Sequence, residues 1–106
     1  MRAEHFIEAP EFSRQRDALL TEAEFAALTA RLMDDAEAGT SLGGGLFKLR
    51  VGVAGRGRRG GARVIYGLVY APGVVVFLAC YAKNAKADLT KAELAALRAV
   101  FADAPS

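Results

Sequence analysis

The chain has 106 residues, of which 53% are hydrophobic and 25% are charged, and its formal net charge is +2. This length and balance indicate one folded domain, residues 1–106, and exclude a disordered chain. No apolar run reaches the roughly 18 residues that a membrane helix requires. The start at Met1 has no apolar stretch behind a basic segment, so we expect neither a membrane anchor nor a secretory signal.

Cysteine and histidine are scarce, with Cys80 and His5 as the single examples. One cysteine excludes an intramolecular disulfide, and its place in a hydrophobic run predicts an inert thiol in a reducing cytoplasm. Without a Cys pair or a second His, we expect no metal site and no cofactor, and a Ser-His triad is not indicated.

The charges are segregated along the chain. Residues 1–37 carry nine acids against four bases, and residues 88–106 carry three against two. The middle, residues 38–87, contains no Asp or Glu and eight cations, namely Lys48, Arg50, Arg56, Arg58, Arg59, Arg63, Lys83 and Lys86. This segregation predicts a positive face that binds a polyanion such as a nucleic acid.

In chain order, the first elements are a short strand and two helices. The strand is predicted over residues 5–9, and a helix follows over residues 11–20 behind a proline, which suits a first helical position. A capping box at residues 21–24 begins the second helix, and Gly39 ends it.

Three strands follow, over residues 46–53, 62–71 and 74–83. A last helix begins at a second capping box at residues 90–93. A Pro-Gly turn at residues 72–73 indicates that the last two strands form a hairpin. The predicted fold is therefore α+β, in the order β-α-α-β-β-β-α, with the helices on one side of a small, mainly antiparallel sheet.

The alternation in the first of these three strands places Lys48 and Arg50 on one face, opposite the apolar set. We expect this face to lie away from the helices. The alternative is that both cations only discourage aggregation at a sheet edge. Arg63 begins the next strand with no acid near it in sequence.

The loop at residues 55–60 spells GxGxxG, but a strand follows it where a dinucleotide site needs a helix. It is either a flexible hairpin loop or a cationic loop that lies along phosphates, and its basic surroundings favour the second function. Three tyrosines in the strands are typical of core residues, and two of them, Tyr66 and Tyr81, are also candidates for stacking on RNA bases.

Four blocks carry a family resemblance: FIEAPEF at 6–12, GGGLFKLRV at 43–51, GRRGGARVIY at 57–66 and YAKNAKADLT at 81–90. They resemble the RelE/ParE toxin superfamily and are most similar to its HigB-type branch. The resemblance implies a compact RelE-like fold of the microbial ribonuclease type, with two N-terminal helices and one C-terminal helix.

The function that the resemblance implies is that of a type II toxin, a cytoplasmic messenger-RNA endoribonuclease that cuts in the ribosomal A site without a metal. Its partners would be the ribosome, the messenger RNA and a HigA-like helix-turn-helix antitoxin, and the toxin–antitoxin complex would bind operator DNA through the antitoxin. The resemblance also implies a set of catalytic positions, Lys48, Arg50, Arg63, Lys83 and Lys86.

The chain departs from RelE itself at two positions, where Asn84 replaces a catalytic arginine and Thr90 a catalytic tyrosine. The HigB-type branch shares both departures, which points to a variant chemistry. Two alternatives stay open: a binding module that docks on RNA or DNA without cutting, and a ParE-like toxin that inhibits gyrase.

Cleavage of RNA without a metal needs a base, charge neutralisation at the phosphate and an acid. The first role falls to Lys48 or Lys86, because a lysine crowded by arginines loses its proton more readily. Arg63 and Arg50 would stabilise the transition state. The RNA backbone would be gripped by Arg56, Arg58 and Arg59, and the acid stays open among Tyr66, Tyr81 and a lysine.

A docking surface for the antitoxin is predicted on the acidic N-terminal helices, away from the basic face. Its expected residues are Glu11, Asp17, Glu22 and Glu24, with Phe12, Leu19, Leu20 and Phe25 between them.

Overall fold

The computed structural model describes residues 1–52, 61–82 and 88–104. Within them the elements are β1 (His5–Glu8), α1 (Pro10–Leu19), α2 (Glu22–Asp34), β2 (Thr40–Gly43), β3 (Leu46–Val51), β4 (Ala62–Val69), β5 (Val74–Ala82) and α3 (Lys91–Asp103). No helix in these ranges is long and apolar enough to cross a membrane. The loop arginines Arg56, Arg58 and Arg59, together with Lys83, Asn84 and Lys86, lie outside the described residues.

The strands form one sheet in the order β1-β5-β4-β3-β2. The first strand pairs parallel to β5, and the other neighbours are antiparallel. The predicted α+β class is confirmed, but the predicted order lacked β2. That strand is four residues long and mostly exposed, so it has no apolar alternation to reveal it. It turns into β3 through glycines 43–45, all of which have positive φ.

Both faces of the sheet carry helices, which corrects the prediction of one bare face. On one face, α1 and α2 bury Phe12, Leu28 and Leu32 against apolar side chains of β3, β4 and β5. On the other face, α3 places Leu97 and Phe101 against a second apolar cluster. The sequence prediction failed because β4 and β5 are buried on both faces and show no alternation.

The two predicted capping boxes are confirmed. Thr21 and Glu24 exchange hydrogen bonds at the start of α2, and Thr90 and Glu93 do the same at the start of α3. Each box supplies partners to backbone N–H groups that have none within the helix. The capping boxes therefore define where α2 and α3 begin, directly after Thr21 and Thr90.

Arg16 ties the N-terminal elements together. Its Nε donates to Glu8 Oε1 of β1 at 3.0 Å, and its Nη1 donates to Glu22 Oε1 of α2 at 3.1 Å. Its guanidinium also lies 4.0 Å from the ring centroid of Phe25. The hydrogen bond with Glu8 is the main reason that the pKa of Arg16 is raised above its ordinary value.

Close packing of α3 on β4 depends on Gly67, where a Cβ would lie 2.5 Å from Phe101 Cε1. We expect Gly67→Ala to lower the free energy of unfolding by about 1–3 kcal/mol, because the added methyl group overpacks this contact. Gly52→Ala is the matched control, since among the described residues no atom beyond its chain neighbours lies within 4 Å of its Cβ position. Chemical denaturation measures both, and equal stabilities for the two variants would contradict the packing described for α3.

Candidate nucleic-acid interface

Strand pairing brings three cations together on the α3 face of the sheet. Lys48 and Arg50 are two residues apart on β3, so they share a face, and Arg50 lies directly opposite Arg63 of β4. Residues paired in this way have Cα atoms about 4.5–5.5 Å apart. We call Lys48, Arg50 and Arg63 the cationic cluster. The structure thus brings together three of the residues that the sequence predicted for the site.

Tyr81 of β5 lies on the other side of Arg63, in register with it. A register shift next to Ile65 leaves Leu78 as an extra residue in β5. This bulge turns Tyr81 onto the face of Arg63, because strict alternation from Phe77 would place it on the opposite face. Burial is the main cause of a raised pKa for the Tyr81 phenol, which therefore stays protonated at neutral pH.

Arg63 is the buried member of the cationic cluster, with 7% of its surface exposed. Its Nη1 has no hydrogen-bond partner within the described part of the chain. No ion pair between described residues involves Arg63 or Arg50. Two like charges on directly opposed strand positions destabilise a sheet, and a buried donor without a partner adds about 1–3 kcal/mol of cost.

Such an arrangement is stable only when the rest of the fold compensates for it, and it is common at functional sites. An anion with several acceptor oxygens would supply the missing partners. A phosphate group fits this requirement, because guanidinium groups bind it through paired N–H donors.

Lys48, the third member, has a carboxylate partner that the sequence prediction missed. Its Nζ lies 3.3 Å from Oδ1 of Asp88, which precedes α3. The same carboxylate accepts a hydrogen bond from the backbone N–H of Leu89 at 2.9 Å. This backbone hydrogen bond is the largest cause of the lowered pKa of Asp88, and the hydrogen bond from Lys48 is the second largest. Asp88 is the first acid after the acid-free stretch, and that position was its only signal in the sequence.

Tyr66 is not part of this interface, so the prediction that it contacts RNA is corrected. It is fully buried on the α1/α2 face, where its ring stacks on Phe47 at a centroid distance of 5.4 Å. Its hydroxyl donates to the carbonyl of Ala36 at 2.8 Å and accepts from the N–H of Gly39 at 3.1 Å. The side chain therefore joins the end of α2 to the sheet.

The structure also shows the surroundings of three other residues named from the sequence, Cys80, Thr90 and Tyr70. Cys80 is buried, and burial raises its thiol pKa to about 11, which agrees with an inert cysteine. Thr90, one of the two departures from RelE, caps α3 through its side chain. Tyr70, for which a core position was typical, is instead exposed, and its hydroxyl donates to Glu37 Oε2 at 2.9 Å.

The apolar part of the predicted antitoxin surface on α1 and α2 needs correction. Phe12 and Leu20 are buried, and Leu19 and Phe25 pack against the same core, so they do not form an exposed apolar surface. The acids beside them form ion pairs within the chain, where Glu11 pairs with Arg14 while Glu22 and Asp17 pair with Arg16.

Within residues 1–52, 61–82 and 88–104, no three His, Cys, Asp or Glu side chains cluster as metal ligands would.

The described residues thus form a small α+β domain whose sheet carries a buried arginine, with no partner for its Nη1 among them, beside two further cations, and such a surface suits an anionic ligand. Comparison with known families identifies the family of this domain. Residues 8–104 match the family described as the RelE toxin of the RelE/RelB toxin-antitoxin system, and the chain belongs to this family. The fold is similar to that of a mutant of the E. coli toxin RelE in the free state. That match has 13% sequence identity and a TM-score of 0.61, and it covers 96% of this chain and 99% of the other.

Proposed function

We propose that this toxin is an endoribonuclease that cleaves messenger RNA on the ribosome and so stops translation. Family membership supports the role of a toxin with an antitoxin partner. The observation that carries the enzymatic proposal is Arg63, buried beside Arg50 with Nη1 unpartnered among the described residues. A site that only attracted RNA would function with exposed, solvated cations, whereas a desolvated guanidinium stabilises charge that develops on a phosphate during reaction.

In the proposed reaction the 2′-oxygen of a nucleotide forms a bond to the adjacent phosphorus, and the bond from phosphorus to the 5′-oxygen breaks. The proton of the 2′-hydroxyl passes to a base, and an acid returns a proton to the 5′-oxygen. The products are a 2′,3′-cyclic phosphate and a 5′-hydroxyl, without a metal ion. Arg63 and Arg50 neutralise the additional negative charge on the phosphate in the transition state.

We also propose a role for each of the candidate site residues. Lys48 Nζ lies 3.3 Å from Asp88 Oδ1, so we assign Lys48 as a donor to a phosphate oxygen and assign the base to Lys86, with Lys83 as a further contact from the same segment. Tyr81 is the phenol in register with Arg63, and we assign it the role of acid. The loop arginines Arg56, Arg58 and Arg59 would hold the RNA backbone on either side of the cut.

We further propose that the toxin belongs to the HigB-type branch and acts in the cytoplasm, in the ribosomal A site. The support is the series of sequence blocks at 43–51, 57–66 and 81–90. Its antitoxin would then be a HigA-like helix-turn-helix protein, through which the complex binds operator DNA.

Induced expression without antitoxin, followed by mapping of messenger-RNA 5′ ends, tests this function. We expect growth arrest and new 5′ ends inside translated reading frames. The matched control is the same transcript without its ribosome-binding site, which should stay intact. Equal cutting of both transcripts would contradict dependence on the ribosome. Arrest without new ends would indicate a binding module, and arrest with DNA damage would indicate a gyrase-directed toxin.

A further inference from the structure

Asp88 is an acid whose carboxylate is fixed inside a site that otherwise selects for anions. The N–H of Leu89 holds its Oδ1 at 2.9 Å, two residues before the cap of α3, and the same oxygen contacts Lys48 Nζ at 3.3 Å. The carboxylate is therefore attached to the start of α3, and it connects that helix to β3.

This placement has an electrostatic cost for RNA binding. Asp88 stays ionised at neutral pH, because its pKa is lowered by Leu89 and Lys48 and further by Arg63. A carboxylate at this place repels the phosphate that the cationic cluster attracts. Asp88 offsets this cost through its effect on the arrangement of the cations.

The compensating effect is the fixed position of Lys48. A lysine side chain has four rotatable bonds and loses up to about 2 kcal/mol of conformational entropy when it is fixed. Lys48 is only 25% exposed in its side chain, and its ammonium is held by Asp88 on the face that carries Arg50 and Arg63. A donor that is placed before RNA arrives contributes more to the transition state than a mobile one.

We propose that Asp88 is a positioning residue of this site, which fixes Lys48 beside the two arginines and thereby increases the rate of cleavage at the expense of RNA affinity. The assignment rests on the proposed ribonuclease function. It is distinct from a role as general base, in which Asp88 itself would take the 2′-hydroxyl proton.

The test compares Asp88→Ala with Asp88→Asn on ribosomes programmed with one defined messenger RNA. The asparagine oxygen can accept from both Lys48 and Leu89, so this variant retains the position of Lys48 without the charge. We expect Asp88→Ala to lower kcat about 10-fold and Asp88→Asn to stay within about 3-fold of the wild type. Both should bind RNA about 2- to 5-fold more tightly, since a nearby negative charge is gone. Thermal unfolding should show all three proteins equally folded.

Several outcomes overturn the assignment. If both variants lose kcat equally and by about 100-fold or more, Asp88 is a proton acceptor and not a positioning residue. An unchanged kcat in Asp88→Ala shows that the ion pair has no catalytic effect. Weaker RNA binding in both variants contradicts the proposed cost of Asp88 for RNA affinity. In these cases the wild type still cuts, so the proposed function stands. A wild type that cuts no messenger RNA overturns the proposed function, and the assignment with it.

Discussion

Arg63→Met is expected to make the protein more stable and to abolish its toxicity. Methionine fills a similar volume without a charge, so it removes both the donor that lacks a partner in the described structure and the repulsion from Arg50. We expect the free energy of unfolding to rise by about 1–3 kcal/mol. We expect the cleavage rate to fall by about 100- to 1,000-fold, as when a transition-state donor is removed. Denaturant titration and single-turnover cleavage measure the two effects.

Arg16→Met is the matched control, because Arg16 has the opposite surroundings. Its guanidinium is paired with three carboxylates, those of Glu8, Asp17 and Glu22, and lies outside the cationic cluster. Its loss should cost about 1.5–3 kcal/mol of stability and leave cleavage by the folded protein unchanged. If Arg63→Met instead destabilised the chain as much as Arg16→Met does, the burial of Arg63 would be structural, and no anion would be needed to complete the site.

A large loss of RNA affinity is expected for Arg50→Glu. The new carboxylate would lie directly across the strand pair from Arg63 and would provide the partner that the guanidinium lacks among the described residues. One positive charge is lost and a second is neutralised. The slope of log affinity for RNA against log salt should therefore decrease by about 2, and affinity at low salt should fall by more than about tenfold.

Arg50→Gln separates these two contributions, since it removes one charge and gives Arg63 no new partner. Its salt slope should decrease by about 1. Arg14→Gln serves as the control on α1, where the arginine already pairs with Glu11, and its slope should not change. If Arg50→Glu and Arg50→Gln gave the same slope, Arg63 would not contribute to RNA binding.

The elements with strong local signals could be predicted from the sequence. The capping boxes at residues 21–24 and 90–93 begin α2 and α3 as expected, because the hydrogen bonds involved link residues three apart. The position of α3 could not be predicted. Its contact with the sheet depends on small residues such as Gly67, which admit Phe101, and on the apolar second face of β4, where a single sequence shows no periodicity.

The candidate site was predicted as a set of cations, with Lys48 and Arg50 on one face of their strand, but the residues around this set were not predicted. The acid-free stretch identified Lys48, Arg50 and Arg63, and strand pairing places them together. Their surroundings depend on long-range contacts that the sequence does not reveal. The bulge at Leu78 decides the side on which Tyr81 lies, and the start of α3 brings Asp88 within 3.3 Å of a lysine 40 positions earlier.

The most direct test is cleavage of a defined messenger RNA on purified ribosomes, with the chemical ends of the products identified. We expect fragments with a 5′-hydroxyl, which a kinase labels without prior phosphatase treatment, and a cleavage rate at least about 100-fold higher for the wild type than for Arg63→Met. Fragments with a 5′-phosphate would contradict the proposed attack by the 2′-hydroxyl. Cleavage by Arg63→Met at the wild-type rate would contradict the claim that this buried arginine is the centre of the site.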